Sequence, residues 1–158
     1  MDYLKKVVIL LFCTFLGLNV AAQSHPNIML TKANIEAVRK GSKTYPLLQQ
    51  SYAEVKKMAD VALSTPINVP VPKDGGGGFT HEQHKRNYNN IINCGVAYQI
   101  SGEQKYANYV KNILLNYASQ YQKWPLHPKR KDDKDGGRIF WQSLNDFVWQ
   151  VYSIQGYD

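Results

Sequence analysis

Apolar residues recur along this chain at steps of three and four, and nowhere do they alternate with polar ones over a stretch long enough to pair as a strand. Such steps gather side chains on one face of a helix, so the pattern predicts an all-α fold. Punctuation falls where helices should begin and end. Thr31 is placed to cap a short helix carrying Ile35 and Val38, which Gly41 closes. Pro46 opens a second, with Leu48, Tyr52, Val55, Ala59 and Ala62 on one stripe and a stop near Pro66. Thr80-His81-Glu82-Gln83 reads as a capping box for a third helix, whose mostly apolar face holds Tyr88, Ile91, Ile92, Gly95, Val96 and Gln99. Ser101-Gly102 makes a tight break before a fourth stripe of Tyr106, Val110, Ile113, Tyr117 and Tyr121, so helices three and four should form an antiparallel hairpin. Trp124-Pro125 ends that pair, and Phe140, Leu144, Phe147, Val148 and Val151 mark a fifth amphipathic helix. The segment Asn68 to Pro72 must run extended, because each proline restricts the residue before it. Helical hairpins joined by long loops suit a bundle, a solenoid or part of an α/α toroid, and no exact internal repeat chooses between them.

Residues 1–22 stand apart from this pattern. Lys5-Lys6, the apolar run from Val7 to Leu18 and the closing Val20-Ala21-Ala22 form the three parts of a secretory signal peptide, with cleavage expected after Ala22 and a mature region of 23–158. The run is shorter than the roughly 18 to 20 residues that cross a bilayer, so no lasting membrane anchor is expected. The expected destination is the periplasm or the exterior. Phe12 stands before Cys13 where lipid attachment would need a small residue, which argues against lipidation. Cys94 is then the one cysteine of the mature region; it reads as a small buried apolar group, and packing rather than a disulfide must hold the fold. The final segment, Val151 to Asp158, has neither a basic last turn nor a polar tail and reads as a chain interrupted inside a larger domain.

The formal net charge is +7, and +6 once the leader is set aside, so the basic bias belongs to the folded part. A surface of that sign attracts nucleic acid, acidic lipid or uronate polysaccharide alike. Gly75 to Gly78, ahead of helix three, imitate an anion cradle, but no strand precedes them and no Gly-Lys-Ser/Thr follows. His81 and His84 are three apart, whereas a zinc-protease helix needs four, and no third ligand follows at a helical step; neither a metal nor a cofactor is expected. His81, His84, Lys85 and Arg86 instead read either as the lining of an anion's path or as a solvated first turn. The loop from Pro125 to Arg138 carries His127, Lys129, Arg130, Lys131, Lys134 and Arg138, with Asp132, Asp133 and Asp135 interleaved. On the helix that follows, Gln142 and Asn145 share a face and could hold one oxygen between them, while Trp141 and Trp149 offer flat surfaces of the kind sugar rings stack on. Amides, indoles and scattered cations fit an acidic saccharide. Nucleic acid is not the expected partner, since the basic residues form no stripe along a helix.

Taken in order, His25-Pro26-Asn27, Pro66 to Asp74, Gly78-Phe79-Thr80-His81-Glu82, Tyr98 to Gly102 followed by Tyr106-Ala107, and Phe140-Trp141-Gln142-Ser143-Leu144-Asn145-Asp146 resemble the N-terminal part of the oligoalginate lyases. These polysaccharide lyases join an α/α-toroid domain to a heparinase II/III-like β-sandwich. The resemblance covers nearly the whole mature chain and implies that residues 23–158 form a partial α/α toroid.

It also implies a reaction: β-elimination on alginate oligosaccharides, from an end, releasing unsaturated uronate. The proton at C5 of a uronate is barely acidic while the adjacent carboxylate is charged, so neutralising that carboxylate by amide and imidazole hydrogen bonds, with a phenol as base and then acid, makes the elimination feasible. The resemblance assigns the first role to an Asn-His pair and the second to a tyrosine, both farther along the toroid. This sequence holds no Asn-His dipeptide, so no catalytic residue is assigned in it. The expected substrate contacts are Gln142 and Asn145, joined by Arg138, Lys134 and His81. Two other readings stand beside this one: a secreted helical binding module for acidic glycans, and a lyase acting on heparin-like or hyaluronan-like chains.

Overall fold

A computed structural model describes residues 25–132 and 134–158; the leader read at 1–22 lies outside them. The described chain is all-α, about 65% helix, with no strand. Thr31 caps α1 (Lys32–Gly41), its hydroxyl accepting from the Asn34 N–H at 3.2 Å. Pro46 sits in the first turn of α2 (Pro46–Leu63), where its missing N–H costs nothing. After an extended stretch come α3 (Phe79–Ser101) and α4 (Gln104–Gln120), which runs on into a 3-10 turn at Tyr121–Lys123. A long loop then leads to α5 (Ser143–Tyr157).

The central element is α3, which packs against α1, α2, α4 and α5. Its hairpin with α4 turns at Gly102, whose φ of +74° is the left-handed conformation that favours glycine. Arg39 of α1 closes the end of α3: its guanidinium donates to the carbonyls of Gln99 at 2.7 Å and Ile100 at 3.1 Å, which a helix leaves without partners. The core gathers Ala59 and Ala62 of α2, Ile91, Cys94 and Ala97 of α3, and Tyr106, Val110, Ile113 and Tyr117 of α4 under Trp124, Ile139 and Phe140 of the loop. Burial raises the Cys94 thiol to about 12, so it is an apolar filler and not a nucleophile. Hairpins stacked in this way are consistent with part of an α/α toroid. No helix among the described residues is long and apolar enough to cross a membrane.

Three expectations are corrected. The capping box does not form: Gly78 is the N-cap, and Thr80 lies inside the first turn, its N–H and hydroxyl both donating to the Asp74 carboxylate at 2.9 Å. A carboxylate outcompetes a hydroxyl for an unpaired N–H at a helix start. The expected face of α3 is also incomplete, since Thr80, His81, His84, Asn87, Ile91, Cys94 and Ala97 are the buried set. A helix packed on several sides has no single stripe. Finally, Phe140 is buried but precedes α5, while Leu144 and Phe147 are 69% and 61% exposed. Ser153 and Gly156 are the buried residues of α5, because small side chains let its backbone approach α3 closely.

Candidate functional site

Three histidines sit where the start of α3 meets the loop after α4. His84 is fully buried. Its Nδ1 lies 2.7 Å from the Tyr117 hydroxyl, which also accepts from Asn87 Nδ2 at 2.9 Å; Asn87 donates in turn to the Asn68 carbonyl at 2.8 Å. The imidazole tautomer sets which of the two donates in the His84–Tyr117 bond. Burial holds His84 down at about 4, so the ring is neutral at physiological pH. His81 is buried against Phe140, ring centroids 5.0 Å apart at 81°, and its Nδ1 has no partner among the described residues. Burial lowers His81 too, and lowers His127, whose Nδ1 accepts from the Lys129 N–H at 3.1 Å.

Two carboxylates give the basic loop its shape. Asp135 accepts from the N–H groups of Gly136 at 2.8 Å and Ser143 at 3.2 Å and from the Ser143 hydroxyl at 3.1 Å, which hold it below its ordinary range. Asp146 reaches back from α5 to accept from Ile139 N–H at 3.3 Å and Phe140 N–H at 3.1 Å; burial nevertheless pushes it up to about 6. Gly137 lies flat against that carboxylate, where any Cβ would collide with Asp146. The His127 N–H donates to the Gly137 carbonyl at 2.8 Å, tying the two ends of the loop together.

The five expected contacts take distinct places. Gln142 is the N-cap residue of α5, and its side-chain oxygen accepts from Asn145 Nδ2 at 3.3 Å, so the structure brings these two amides together. Lys134 stands exposed on the loop, its N–H held by Asp132 at 2.8 Å. Arg138 turns towards the 3-10 turn after α4 and lies 5.8 Å from the Tyr121 ring centroid. His81 is beneath Phe140 rather than open to solvent. Of its neighbours, Lys85 pairs with Glu82 at 3.2 Å, while Arg86 lies on another face of α3. Trp149 packs edge-on to Tyr117, centroids 4.8 Å apart, which makes it largely a core residue. At the glycine loop the Asp74 carboxylate already occupies the α3 start, where an anion would have to sit.

Sequence reasoning missed the residues that organise this region. Asp146, Asp74 and Tyr117 act through hydrogen bonds across 6 to 33 positions of chain. The one local signal was Asp146, three residues beyond a serine in the Ser143-Leu144-Asn145-Asp146 run.

A helical scaffold thus braces a loop rich in basic residues beside two amides that bond each other. No family profile matches the chain. It is 44% identical over 139 residues, 88% of its length, to the exo-oligoalginate lyase of Saccharophagus degradans, and 39% identical over 131 residues, 83% of its length, to the alginate lyase of Stenotrophomonas maltophilia. The chain spans about one fifth of the length of these curated relatives, 19% and 18% respectively. The likeness to alginate lyases read from the motifs is thus borne out, over a part of such a protein.

Proposed function

We propose that this chain is the first part of a secreted or periplasmic polysaccharide lyase that cleaves alginate oligosaccharides by β-elimination, releasing unsaturated uronate from an end. The observation that carries this reading is the 44% identity to an exo-oligoalginate lyase across 139 residues, 88% of the chain. In this reading, residues 1–22 direct export, and 23–158 form one wall of a substrate cleft within an α/α toroid continued by a heparinase II/III-like domain. The Gln142 and Asn145 amides meet hydroxyl or carboxylate oxygens, and Lys134 draws the polyanion in. Arg138, backed by the Tyr121 ring, supplies a forked donor to a carboxylate. His81, neutral through burial beneath Phe140, supports the cleft wall from behind. The groups that neutralise the reacting carboxylate and move the C5 proton lie on other polypeptide.

The test is turnover by the gene product that carries these residues. Incubated with oligomannuronate or oligoguluronate, it should generate the ultraviolet absorbance of a C4–C5 double bond, and with heparin or hyaluronan fragments it should not. Turnover of the latter alone would replace alginate as substrate; tight binding of oligouronates without any turnover would make the chain a glycan-binding module.

A further inference from the structure

On α3, Phe79, Gln83, Arg86, Asn90 and Asn93 recur at steps of four and three and so form one stripe. His81 and Tyr88, seven residues apart, lie on a different face, where Tyr88 meets Tyr152 of α5 at 5.0 Å. The first stripe instead lines a groove of about 870 Å³, walled on its far side by Met58, Val61 and Ala62 of α2 and by the segment from Thr65 to Asn68. None of the five residues placed above in the cleft lines it.

The groove explains an anomaly of composition. The run Asn87-Tyr88-Asn89-Asn90-Ile91-Ile92-Asn93 puts four asparagines into the middle of a helix, where the residue is a poor former because its amide competes with the backbone. Asn87 is accounted for by Tyr117 and the Asn68 carbonyl. Asn90 donates to the Tyr109 hydroxyl at 3.1 Å and Asn89 to the Lys85 carbonyl at 3.0 Å, which leaves both amide oxygens open. The half-buried amide of Asn93 meets no hydrogen-bonding group among the described residues. Beside these open amides, Arg86 uses one guanidinium nitrogen on Gln83 at 2.8 Å, and the Phe79 ring is 62% exposed at the groove's end.

We infer that this α2–α3 groove is a second saccharide-binding site, which holds an acidic oligosaccharide away from the cleft. Phe79 is a platform for the C–H face of a sugar ring, the amides of Asn89, Asn90 and Asn93 match ring hydroxyls as donors and acceptors, and Arg86 offers its remaining N–H groups to a carboxylate. The assignment of a uronate, rather than a neutral sugar, rests on the guanidinium and on the reading of the cleft above. Such a site would keep a polymeric substrate attached between successive cleavages.

Calorimetric titration of the intact gene product with tetramannuronate tests this, with a neutral glucan tetramer as control. Two binding events are expected. Arg86→Gln or Phe79→Ala should weaken one of them at least about tenfold and leave the other in place, while Gln142→Ala should do the reverse. Both groove residues are exposed, and circular dichroism should show the variants folded as the parent. Loss of binding in Arg86→Gln with none in Gln142→Ala upholds the groove and sinks the cleft reading. A single event insensitive to Arg86→Gln and Phe79→Ala overturns the groove, as does an absence of binding, and equal binding of the glucan overturns its acidic ligand.

Discussion

Gly95 of α3 and Gly156 of α5 face each other with no side chain between their backbones: a Cβ on Gly95 would collide with the Gly156 carbonyl, and one on Gly156 would come 2.6 Å from the Ile91 carbonyl oxygen. The helix that carries Gln142 at its start is therefore seated by backbone contact. Gly156→Ala should force α5 away from α3 and cost about 1 to 3 kcal/mol in urea unfolding. Gly102→Ala meets no neighbouring atom and pays only for its positive φ, so it should cost about 1 kcal/mol.

Tyr117 joins His84 to Asn87 in the core. Tyr117→Phe keeps the ring and removes the hydroxyl, which leaves His84 Nδ1 and one Asn87 donor buried without that partner. A loss of about 1 to 3 kcal/mol is expected, read from thermal or urea unfolding. Imidazole NMR should also show the His84 tautomer balance shift once its Nδ1 loses the Tyr117 hydroxyl.

The stripe on α4 was legible because that helix turns one face to the core, and Tyr106, Val110, Ile113 and Tyr117 are buried as their spacing implies. On α2 only Ala59 and Ala62 are buried, whereas Tyr52 and Val55 are half-buried and Leu48 is exposed near the helix start, where little packs against it. On α3 the rule failed for a physical reason, since a helix enclosed by several others buries polar groups such as His84 and Asn87 once they find partners on distant elements. On α5, spacing pointed to Leu144 and Phe147 and missed Ser153 and Gly156, because a hydrophobicity pattern carries no signal for close backbone packing. The pairing of Gln142 with Asn145 followed from their separation alone, whereas the turn of Arg138 towards Tyr121 depends on how the whole loop folds.

Stability should fall on the acid side. Folded His84 titrates at about 4 against an ordinary 6.5, so the contribution of its neutral ring is complete above pH 6.5 and is lost as pH drops towards 4, about 3 kcal/mol in all. His81 and His127, lowered by the same cause, act in the same direction. Asp146 opposes them: its folded value of about 6 exceeds the ordinary 3.8, so the cost of its buried charge is full above pH 6 and is relieved as pH falls through that window. With three imidazoles against one carboxyl, the melting temperature should decline from pH 6.5 to pH 4. Asp146→Asn removes the opposing relief and should steepen the decline; a flatter profile would contradict the placement of that charge.

The amides of Gln142 and Asn145 bond each other at 3.3 Å, a long and replaceable contact at the mouth of α5. Gln142→Ala should therefore change unfolding free energy by less than about 1 kcal/mol, since the α5 start is held by Asp135 on Ser143 and by the Gln142 backbone carbonyl, which alanine keeps. If those amides face the uronate, the same substitution should weaken oligouronate binding about tenfold or more. Lys134→Ala, at an exposed cation, should lower affinity mainly at low salt and lose its effect as ionic strength rises. Titrations at two salt concentrations separate these behaviours: a salt-independent loss at Gln142 places it in contact with the sugar, and unchanged affinity there removes it from the site.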